Sequence, residues 1–245
     1  MASGACLWWQ NPGVCGACVL KREILESLVT AQKMRLAMAV VTDLQSGAQR
    51  LVRRENAADD FFAPILDKAF RFDKSGVEQT DRGEVFISVH NPRLRMVIIG
   101  AVHIAQNVIP MAEAAGYDVT VIDPRGAFAT GARFPSVTLF DQWPDEILPR
   151  LDLDSRTALL ALTHDPKIDD PALDLALKSE VFYIGALGSK KTQSSRRERM
   201  LERGFDEADL SRIHGPIGLA IGAVGAPEIA ISIMAEMTRV LRLGV

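Results

Sequence analysis

The sequence predicts an α/β fold, in which a Rossmann-type doubly wound parallel sheet follows a smaller N-terminal α+β domain. From Met96 onward, short and fully apolar runs alternate with segments of helical periodicity, which is the pattern of parallel strands joined by crossover helices. Before that point, the pattern indicates helices and a strand hairpin. The 245 residues suffice for two modest domains, each with its own core.

The first domain is expected over residues 21–92. Its elements are predicted as a helix over Lys21–Gln32, strands over Leu36–Thr42 and Ala48–Arg53, a helix from Asp59 or Asp60 to Phe72, and a strand over Glu84–His90. The first two strands flank the turn Asp43–Gly47, which indicates a hairpin. Asn91-Pro92 interrupts the strand pattern, and we therefore place the domain boundary there.

The Rossmann-type domain is expected over residues 93–245. Its strands are predicted over Met96–Ile99, Val119–Ile122, Ser136–Phe140, Thr157–Thr163 and Val181–Gly185. Asp170-Pro171 is predicted to open a helix, because a capping aspartate followed by proline suits the first helical turn. Ser189 is expected to cap a helix that ends at Gly204, and Pro227-Glu228 to open the last one. The apolar stripe of this last helix suits either a homodimer interface or the core.

Residues 1–20 are expected to form a disordered leader rather than a signal peptide, since they lack a basic start and a continuous apolar core. The chain has three cysteines, Cys6, Cys15 and Cys18, and all of them fall in this segment. A redox or metal site at Cys15 and Cys18 is the alternative, but the four ligands of a zinc site are not indicated. No metal site is therefore expected.

Charge and hydropathy exclude two classes of partner. The chain has 28 basic and 31 acidic residues, a net charge of −3, which does not favour nucleic acid. Its longest apolar runs fall short of the roughly 18 residues that cross a bilayer. We expect a cytoplasmic protein with neither nucleic acid nor membrane as partner.

The first turn of the Rossmann-type domain resembles a dinucleotide fingerprint with one position changed. The fingerprint has glycine, glycine, then glycine or alanine at offsets 0, 2 and 5, where this chain has Gly100, Val102 and Ala105. The middle position lets the backbone approach a pyrophosphate. Asp123 follows the second strand, where a ribose-binding acid belongs. These residues, with Ala101 and His103 in the same turn, predict a ligand site.

Two further strand ends carry polar residues. Arg125 follows Asp123 and offers a fork for phosphate, with pairing to Asp123 as the alternative. Thr163, His164 and Asp165 close an apolar strand, so His164 is a candidate acid, base or ligand; the alternative is a cap and turn. Because ligands bind at the carboxyl ends of parallel strands, we expect these residues to line one crevice.

The fourth strand end leads through Gly185 and Gly188 into Ser189 and Lys190 at a helix start, which predicts an anion site. The basic residues of this helix are Lys190, Lys191, Arg196, Arg197, Arg199 and Arg203. They suit phosphate or an acidic partner, whereas a solvated face is expected for Arg199 and Arg203. Downstream, Gly218 lies in a glycine-rich segment, which indicates close approach of a ligand or of neighbouring backbone.

Taken together, the motifs resemble those of the xanthine dehydrogenase accessory factor family over roughly Met96 to Glu236. The matching stretches, in order, are Thr163-His164-Asp165, Asp169-Asp170-Pro171-Ala172-Leu173, Tyr183 to Lys191, Gly215 to Gly222, and Pro227 to Glu236. The resemblance implies a Rossmann domain that binds molybdenum cofactor, a phosphate-bearing pterin. It also implies a binder rather than an enzyme, one that helps to insert the cofactor into a molybdenum hydroxylase of the xanthine or carbon-monoxide dehydrogenase type.

Two departures from the family bear on this hypothesis. Family members have Gly-Ala-Gly-His where this chain has Gly100-Ala101-Val102-His103. Val102 places a β-branched side chain where close approach is expected. In addition, no cysteine follows Cys18, so any sulfur transfer needs a separate sulfurtransferase.

Two alternatives come from other classes of protein. An NAD(P)-dependent oxidoreductase is indicated by Gly100, Ala105 and Asp123, with His164 as the acid–base group. A regulatory nucleotide sensor is indicated by the basic helix after Ser189, with Arg196 and Arg197 as partner contacts.

Overall fold

The computed structural model describes residues 20–126, 131 and 133–244. The expected leader, residues 1–20, therefore lies outside the described residues except for Leu20. The chain divides after Pro92 into two compact units, which we call the N-terminal and C-terminal units. Among the described residues, no helix has the length and apolar character needed to cross a membrane.

The N-terminal unit contains a four-stranded antiparallel sheet in the order β2-β1-β4-β3. Its elements are α1 (Arg22–Lys33), β1 (Met38–Asp43), β2 (Gln49–Arg53), a 3-10 helix (Arg54–Asp59), α2 (Ala63–Phe72), β3 (Gly76–Thr80) and β4 (Gly83–His90). The predicted hairpin is β1 and β2, which pair with Val40 opposite Leu51.

Strand β1 is buried on both faces because a helix covers each side of the sheet. Ala39 and Val41 share one apolar cluster with Phe70 of α2. Met38 and Val40, which point the other way, share a second cluster with Leu28 of α1. The period of two along β1 thus distributes its side chains between two layers of core.

Two predictions for this unit differ from the structure. Helix α2 begins at Ala63, not at Asp59 or Asp60, because the 3-10 helix occupies the preceding residues. The Asp60 carboxylate accepts a hydrogen bond from the backbone N–H of Phe62 and pairs with Arg50. The edge strand β3 was not predicted, since Val77 is its only large apolar residue.

The C-terminal unit contains a six-stranded parallel sheet in the order β10-β9-β8-β5-β6-β7, which confirms the Rossmann-type prediction. Its strands are β5 (Leu94–Ile99), β6 (Tyr117–Ile122), β7 (Thr138–Phe140), β8 (Thr157–Ala161), β9 (Tyr183–Ala186) and β10 (Ile213–His214). Its helices are α3 (His103–Ala114), α4 (Pro144–Ile147), α5 (Pro166–Leu177), α6 (Lys190–Glu202), α7 (Glu207–Ser211) and α8 (Ala226–Leu243), with a 3-10 helix at Leu148–Arg150.

Apolar clusters cover both faces of this sheet. Met96 and Ile98 of β5 belong to the cluster with α3 and α8, whereas Val97 and Ile99 belong to the cluster with α5. The predicted apolar stripe of α8 also lies in the first cluster, where Ile233 is completely buried. Core packing within the unit therefore accounts for this stripe without a second copy of the chain.

The prediction that Asp170-Pro171 opens a helix is wrong. Helix α5 begins one turn earlier at Pro166, and the Asp165 carboxylate caps it by accepting the N–H of Lys167 at 3.0 Å. Both positions have an aspartate followed by proline, and the earlier one lies closer to the end of β8. Pro171 consequently lies inside the helix, where it has no N–H to donate.

Helix α6 and the last helix agree with the sequence analysis. Ser189 caps α6 and accepts the backbone N–H of Thr192 at 3.2 Å. Helix α8 has Pro227 in its first turn. Strand β10 has two residues and is too short to give a sequence pattern of its own.

We expect Leu160→Ala to lower the free energy of unfolding by about 2–5 kcal/mol, because Leu160 of the central strand β8 is completely buried. Val224→Ala is the control, since Val224 is 88% exposed and should change stability by no more than about 0.5 kcal/mol. Urea unfolding followed by circular dichroism measures both. Equal effects of the two substitutions would contradict the described core.

Candidate functional site

The topology of the C-terminal unit creates a crevice beside its first strand. After β5 the chain forms β6 and β7 on one side, and then returns to form β8, β9 and β10 on the other. The loops that follow β5 and β8 therefore diverge, and ligands of doubly wound sheets bind between such loops. We call this opening the crevice; it lies between Gly100–His103 and Thr163–Asp165.

Gly100 brings the two sides of the crevice into contact. Its backbone has φ +111°, which is unfavourable for a residue with a Cβ. A Cβ at this position would also lie 2.7 Å from the Cγ2 of Thr163. The lack of a side chain at residue 100 is thus required by the turn and by the opposite loop.

Val102 fits the turn without backbone strain. It is the N-cap residue of α3, with φ −89° and ψ 174°, an extended conformation open to any residue. Its side chain packs partly against the core. Because this side chain cannot cap the helix, the first N–H groups of α3 stay available at the crevice. The helix start thus retains the features of an anion site.

Asp123 is completely buried and holds the loops after β5 and β6. Its Oδ2 accepts hydrogen bonds from Ala101 N at 2.7 Å and the Arg125 side chain at 2.8 Å. Its Oδ1 accepts from Arg125 N at 3.0 Å and Arg125 Nε at 2.9 Å. Because a carboxylate has about four acceptor positions, this geometry leaves none for a ribose hydroxyl.

These contacts determine the ionisation of Asp123 and Arg125. Burial by itself would raise the pKa of Asp123, but hydrogen bonds from Arg125 and Ala101 outweigh it and hold the pKa below its ordinary value. The pKa of Arg125 is raised by its hydrogen bonds to Asp123, and further by the negative charges of Asp165 and Asp169. The guanidinium therefore remains a cation at the crevice, with its side chain about one-third exposed.

A second buried carboxylate, Asp169, holds the loop after β8. It accepts hydrogen bonds from Thr163 Oγ1 at 2.7 Å, from Thr163 N at 3.3 Å and from His164 N at 3.1 Å. His164 is exposed and has φ +64°. Burial raises the pKa of Asp169, although these hydrogen bonds and the nearby charge of Arg196 oppose the shift.

Asp169 was not predicted as a site residue, and Arg196 was expected on the basic surface of its helix and not beside Asp169. Arg196 is 3% exposed, and its Nη2 lies 3.7 Å from Asp169 Oδ2 and donates to the carbonyl of Leu187 at 3.1 Å. Burial lowers the pKa of this guanidinium. Recognition of Asp165 as the cap of α5 would have placed Asp169 at the start of the helix, facing the loop.

The prediction of a solvated face is wrong for Arg199, and the burial of Arg196 conflicts with its expected role as a partner contact. Arg199 forms a two-point ion pair, at 2.5 and 3.0 Å, with Asp170, which is 2% exposed. Arg197 and Arg203 are exposed, and Arg197 pairs with Glu207. Three of the six basic residues named above, Arg196, Arg197 and Arg199, thus have partners within the chain.

The turn between β9 and α6 contains the remaining predicted anion donors. Gly188 has φ +137°, and Ser189 and Lys190 are exposed at the helix start. Gly185, in contrast, is buried inside β9, where a Cβ would overlap the side chain of Ile217. Internal packing therefore explains the glycine at residue 185.

Gly218 is held by a third buried carboxylate. Its N–H donates to Glu236 Oε2 at 2.9 Å, and the hydroxyl of Tyr183 donates to the same oxygen at 2.6 Å. His214 stacks on Tyr183, with its Nδ1 3.5 Å from Glu236 Oε1. Burial raises the pKa of Tyr183 and keeps its hydroxyl protonated. A Cβ at Gly218 would overlap the hydroxyl of Ser232, so α8 approaches this backbone closely.

We expect Gly100→Ala to destabilise the C-terminal unit by at least about 1–2 kcal/mol, because of its φ and the contact with Thr163. Adding Thr163→Ser removes the Cγ2 methyl but keeps the hydroxyl. The double variant should therefore recover only that part of the lost stability that comes from the contact between residue 100 and the methyl group. Gly126→Ala is the control, since a Cβ there meets no atom of the described residues within 4 Å. Thermal unfolding compares the variants, and a neutral Gly100→Ala would contradict the turn.

Asp123→Asn tests the lowered pKa of Asp123. A carboxyl whose folded-state pKa is lowered stabilises the protein above its unfolded pKa of about 4, and this stabilisation is lost as the pH falls through the folded-state value. At pH 7 we expect the variant to be less stable by about 2–4 kcal/mol. Urea unfolding should show that the difference in free energy of unfolding between wild type and variant becomes smaller below about pH 5.

The control for this pH series is Asp118→Asn, because Asp118 forms an exposed ion pair with Arg93 and should contribute little. If wild type and Asp123→Asn differ by the same free energy of unfolding from neutral to acid pH, the lowered pKa assigned to Asp123 is contradicted.

Three similar proteins share 30–32% of their residues with this chain over about 150 positions. They are a probable xanthine dehydrogenase subunit of Bacillus subtilis (31% identical, over 62% of this chain), the molybdenum cofactor insertion chaperone PaoD of Escherichia coli (30%, over 61%) and the uncharacterized protein YqeB of Escherichia coli (32%, over 64%). The matched part covers 44%, 41% and 29% of these proteins, respectively, so this chain spans less than half of each.

The fold is similar to that of a solved structure, the crystal structure of a xanthine dehydrogenase from Bacillus halodurans. The TM-score is 0.66, over 91% of this chain and 67% of that one. At 23% sequence identity, this likeness shows the fold alone.

The family model described as the XdhC Rossmann domain matches residues 96–237, more than half of the chain. These residues include every strand of the parallel sheet except the first residues of β5, and all the loops that surround the crevice. The resemblance found in the motifs is thereby confirmed, and the chain belongs to the XdhC family of xanthine dehydrogenase accessory factors.

Proposed function

We propose that this chain binds molybdenum cofactor in the crevice and assists its maturation and insertion into a molybdenum hydroxylase of the xanthine or carbon-monoxide dehydrogenase type. Membership of the XdhC family supports this proposal. One similar protein bears the name molybdenum cofactor insertion chaperone, and another is named as a probable xanthine dehydrogenase component.

The observation that carries the proposal is the start of α3 beside Arg125. The N-cap residue Val102 provides no side-chain cap, so the N-terminal N–H groups and the dipole of this helix favour an anion. The Arg125 guanidinium lies in the neighbouring loop, where it pairs with Asp123, the alternative that the sequence allowed. About one-third of its side chain is exposed, and we propose that this part also contacts the anion. The phosphate of the cofactor has the chemistry that these donors bind.

Polar residues after the neighbouring strands β8 and β9 suit the remainder of such a ligand. Ser189 and Lys190 are exposed at the start of α6, and His164 is exposed after β8. The cofactor would supply the molybdenum chemistry of the client enzyme. The residues of this chain would bind it, orient it and limit its contact with water.

A rigid crevice suits a binding protein. The two loops that flank the crevice donate the N–H groups of Ala101 and His164 to buried carboxylates, so these loops have less conformational freedom to lose when a ligand binds. The sequence after Cys18 includes no cysteine, and we therefore propose that a separate sulfurtransferase supplies sulfur where maturation requires it.

The proposal predicts that purified protein binds molybdenum cofactor under anaerobic conditions with a Kd in the micromolar range or below. Val102→Gly should change the Kd by no more than about threefold, since Val102 has a backbone conformation open to all residues. Equilibrium titration measures both Kd values. NADH and NADPH serve as negative controls. Neither should bind, because Asp123 has no acceptor position left for a ribose hydroxyl.

Absence of cofactor binding in both proteins would contradict the proposal. Binding only after Val102→Gly would mean that this chain keeps the fold but has lost or changed the ligand. The role in insertion is tested separately by deleting the gene: a client hydroxylase that remains fully loaded with molybdenum would contradict it.

A further inference from the structure

His164 has an unfavourable backbone conformation at an exposed position of the crevice. Its φ of +64° lies in the left-handed region, which a Cβ disfavours and which glycine adopts freely. The residue lies in the loop after β8, and the neighbouring Thr163 lies against Gly100 across the crevice. A histidine here therefore destabilises the fold relative to a glycine.

The surrounding structure imposes this conformation through the backbone and not through the imidazole. Asp169 accepts the N–H of His164 at 3.1 Å and both the N–H and the hydroxyl of Thr163. Arg196, itself buried, lies beside Asp169 and donates to the carbonyl of Leu187 in the next loop. A glycine at residue 164 could donate the same hydrogen bond.

The imidazole is thus not needed to form the loop, and its exposed position makes it accessible to a ligand. Residues in sparsely populated backbone conformations persist where the surrounding structure determines them, and they cluster at ligand sites. Asp165, the next residue, has a separate task as the cap of α5. The loop therefore combines two structural residues with one whose side chain has no internal role in holding it.

We infer that the His164 side chain contacts the bound cofactor through a hydrogen bond, and that Asp169, stabilised by Arg196, is the positioning residue that presents it. This inference rests on the proposed function for the identity of the ligand. It extends that function by assigning a specific contact to the side of the crevice opposite Arg125 and by giving Asp169 a role in binding.

Comparison of His164→Gly with His164→Ala tests the inference. His164→Gly should raise Tm by about 2–4 °C, since it removes the strain, and weaken binding of molybdenum cofactor about tenfold. His164→Ala should weaken binding equally without raising Tm, because alanine keeps the Cβ. Differential scanning fluorimetry and anaerobic titration provide the two measurements.

Asp152→Gly is the matched control. Asp152 also has a left-handed backbone, with φ +47°, but it lies in the loop before β8, at the opposite edge of the sheet. Its replacement should not reduce Tm and should leave the Kd for the cofactor unchanged.

A double-mutant cycle tests the role of Asp169. Asp169→Asn should weaken cofactor binding about tenfold in the wild-type background but by less than about twofold in the His164→Ala background, because Asp169 acts through His164. A residue with a merely structural role would weaken binding by the same factor in both. Thr163→Val, which removes the 2.7 Å hydrogen bond to Asp169, replaces Asp169→Asn in the cycle if that variant does not fold.

The outcomes separate this inference from the proposed function. If wild type binds cofactor and His164→Ala binds equally well, the contact is wrong while the proposed function stands. If His164→Gly is no more stable than His164→Ala, the claim that the backbone of His164 is strained is wrong. If wild type binds no cofactor, the proposed function fails and the assigned contact fails with it.

Discussion

The loops at the carboxyl ends of the parallel strands depend on buried carboxylates that accept backbone N–H groups. Asp123 holds the loop after β5, Asp169 the loop after β8, and Glu236 the segment after β10. Each carboxylate is less than 10% exposed, and a charge in such a place persists only when it is paired or hydrogen-bonded. Arg125 and Arg196 neutralise the first two, whereas the third is held by a tyrosine hydroxyl and a histidine.

This arrangement explains why the glycines of the family motifs do not all face a ligand. Gly100 and Gly218 have left-handed backbones and lie against Thr163 and Ser232, so their small size serves the packing of loops against the protein itself. The features that we propose to face the ligand are the start of α3, Arg125 and the exposed His164. Val102 is compatible with this proposal, because the proposed anion site consists of backbone N–H groups and does not need a glycine at residue 102.

The sequence allowed the parallel sheet, the start of α6 and the positions of the crevice loops to be predicted, because apolar runs and caps are local signals. It did not allow Asp169 and Arg196 to be recognised, because their pairing joins residues 27 positions apart and depends on where α5 begins. Because the start of α5 was predicted wrongly, the burial of Asp170 was also not predicted. Arg199 pairs with this buried carboxylate and is therefore not a solvated cation. For Asp123, the sequence predicted the position and allowed the pair with Arg125 as an alternative, but it did not predict the hydrogen bond from Ala101, which depends on the direction of a second loop.

Hydrogen–deuterium exchange of the protein, with and without saturating molybdenum cofactor under anaerobic conditions, would locate the bound cofactor. Binding in the crevice predicts that amide protection increases at the start of α3 and in the loop Thr163–Asp165, while the N-terminal unit is unaffected. Protection confined to other segments, at a cofactor concentration that saturates binding, would show that the ligand lies elsewhere and would contradict the account.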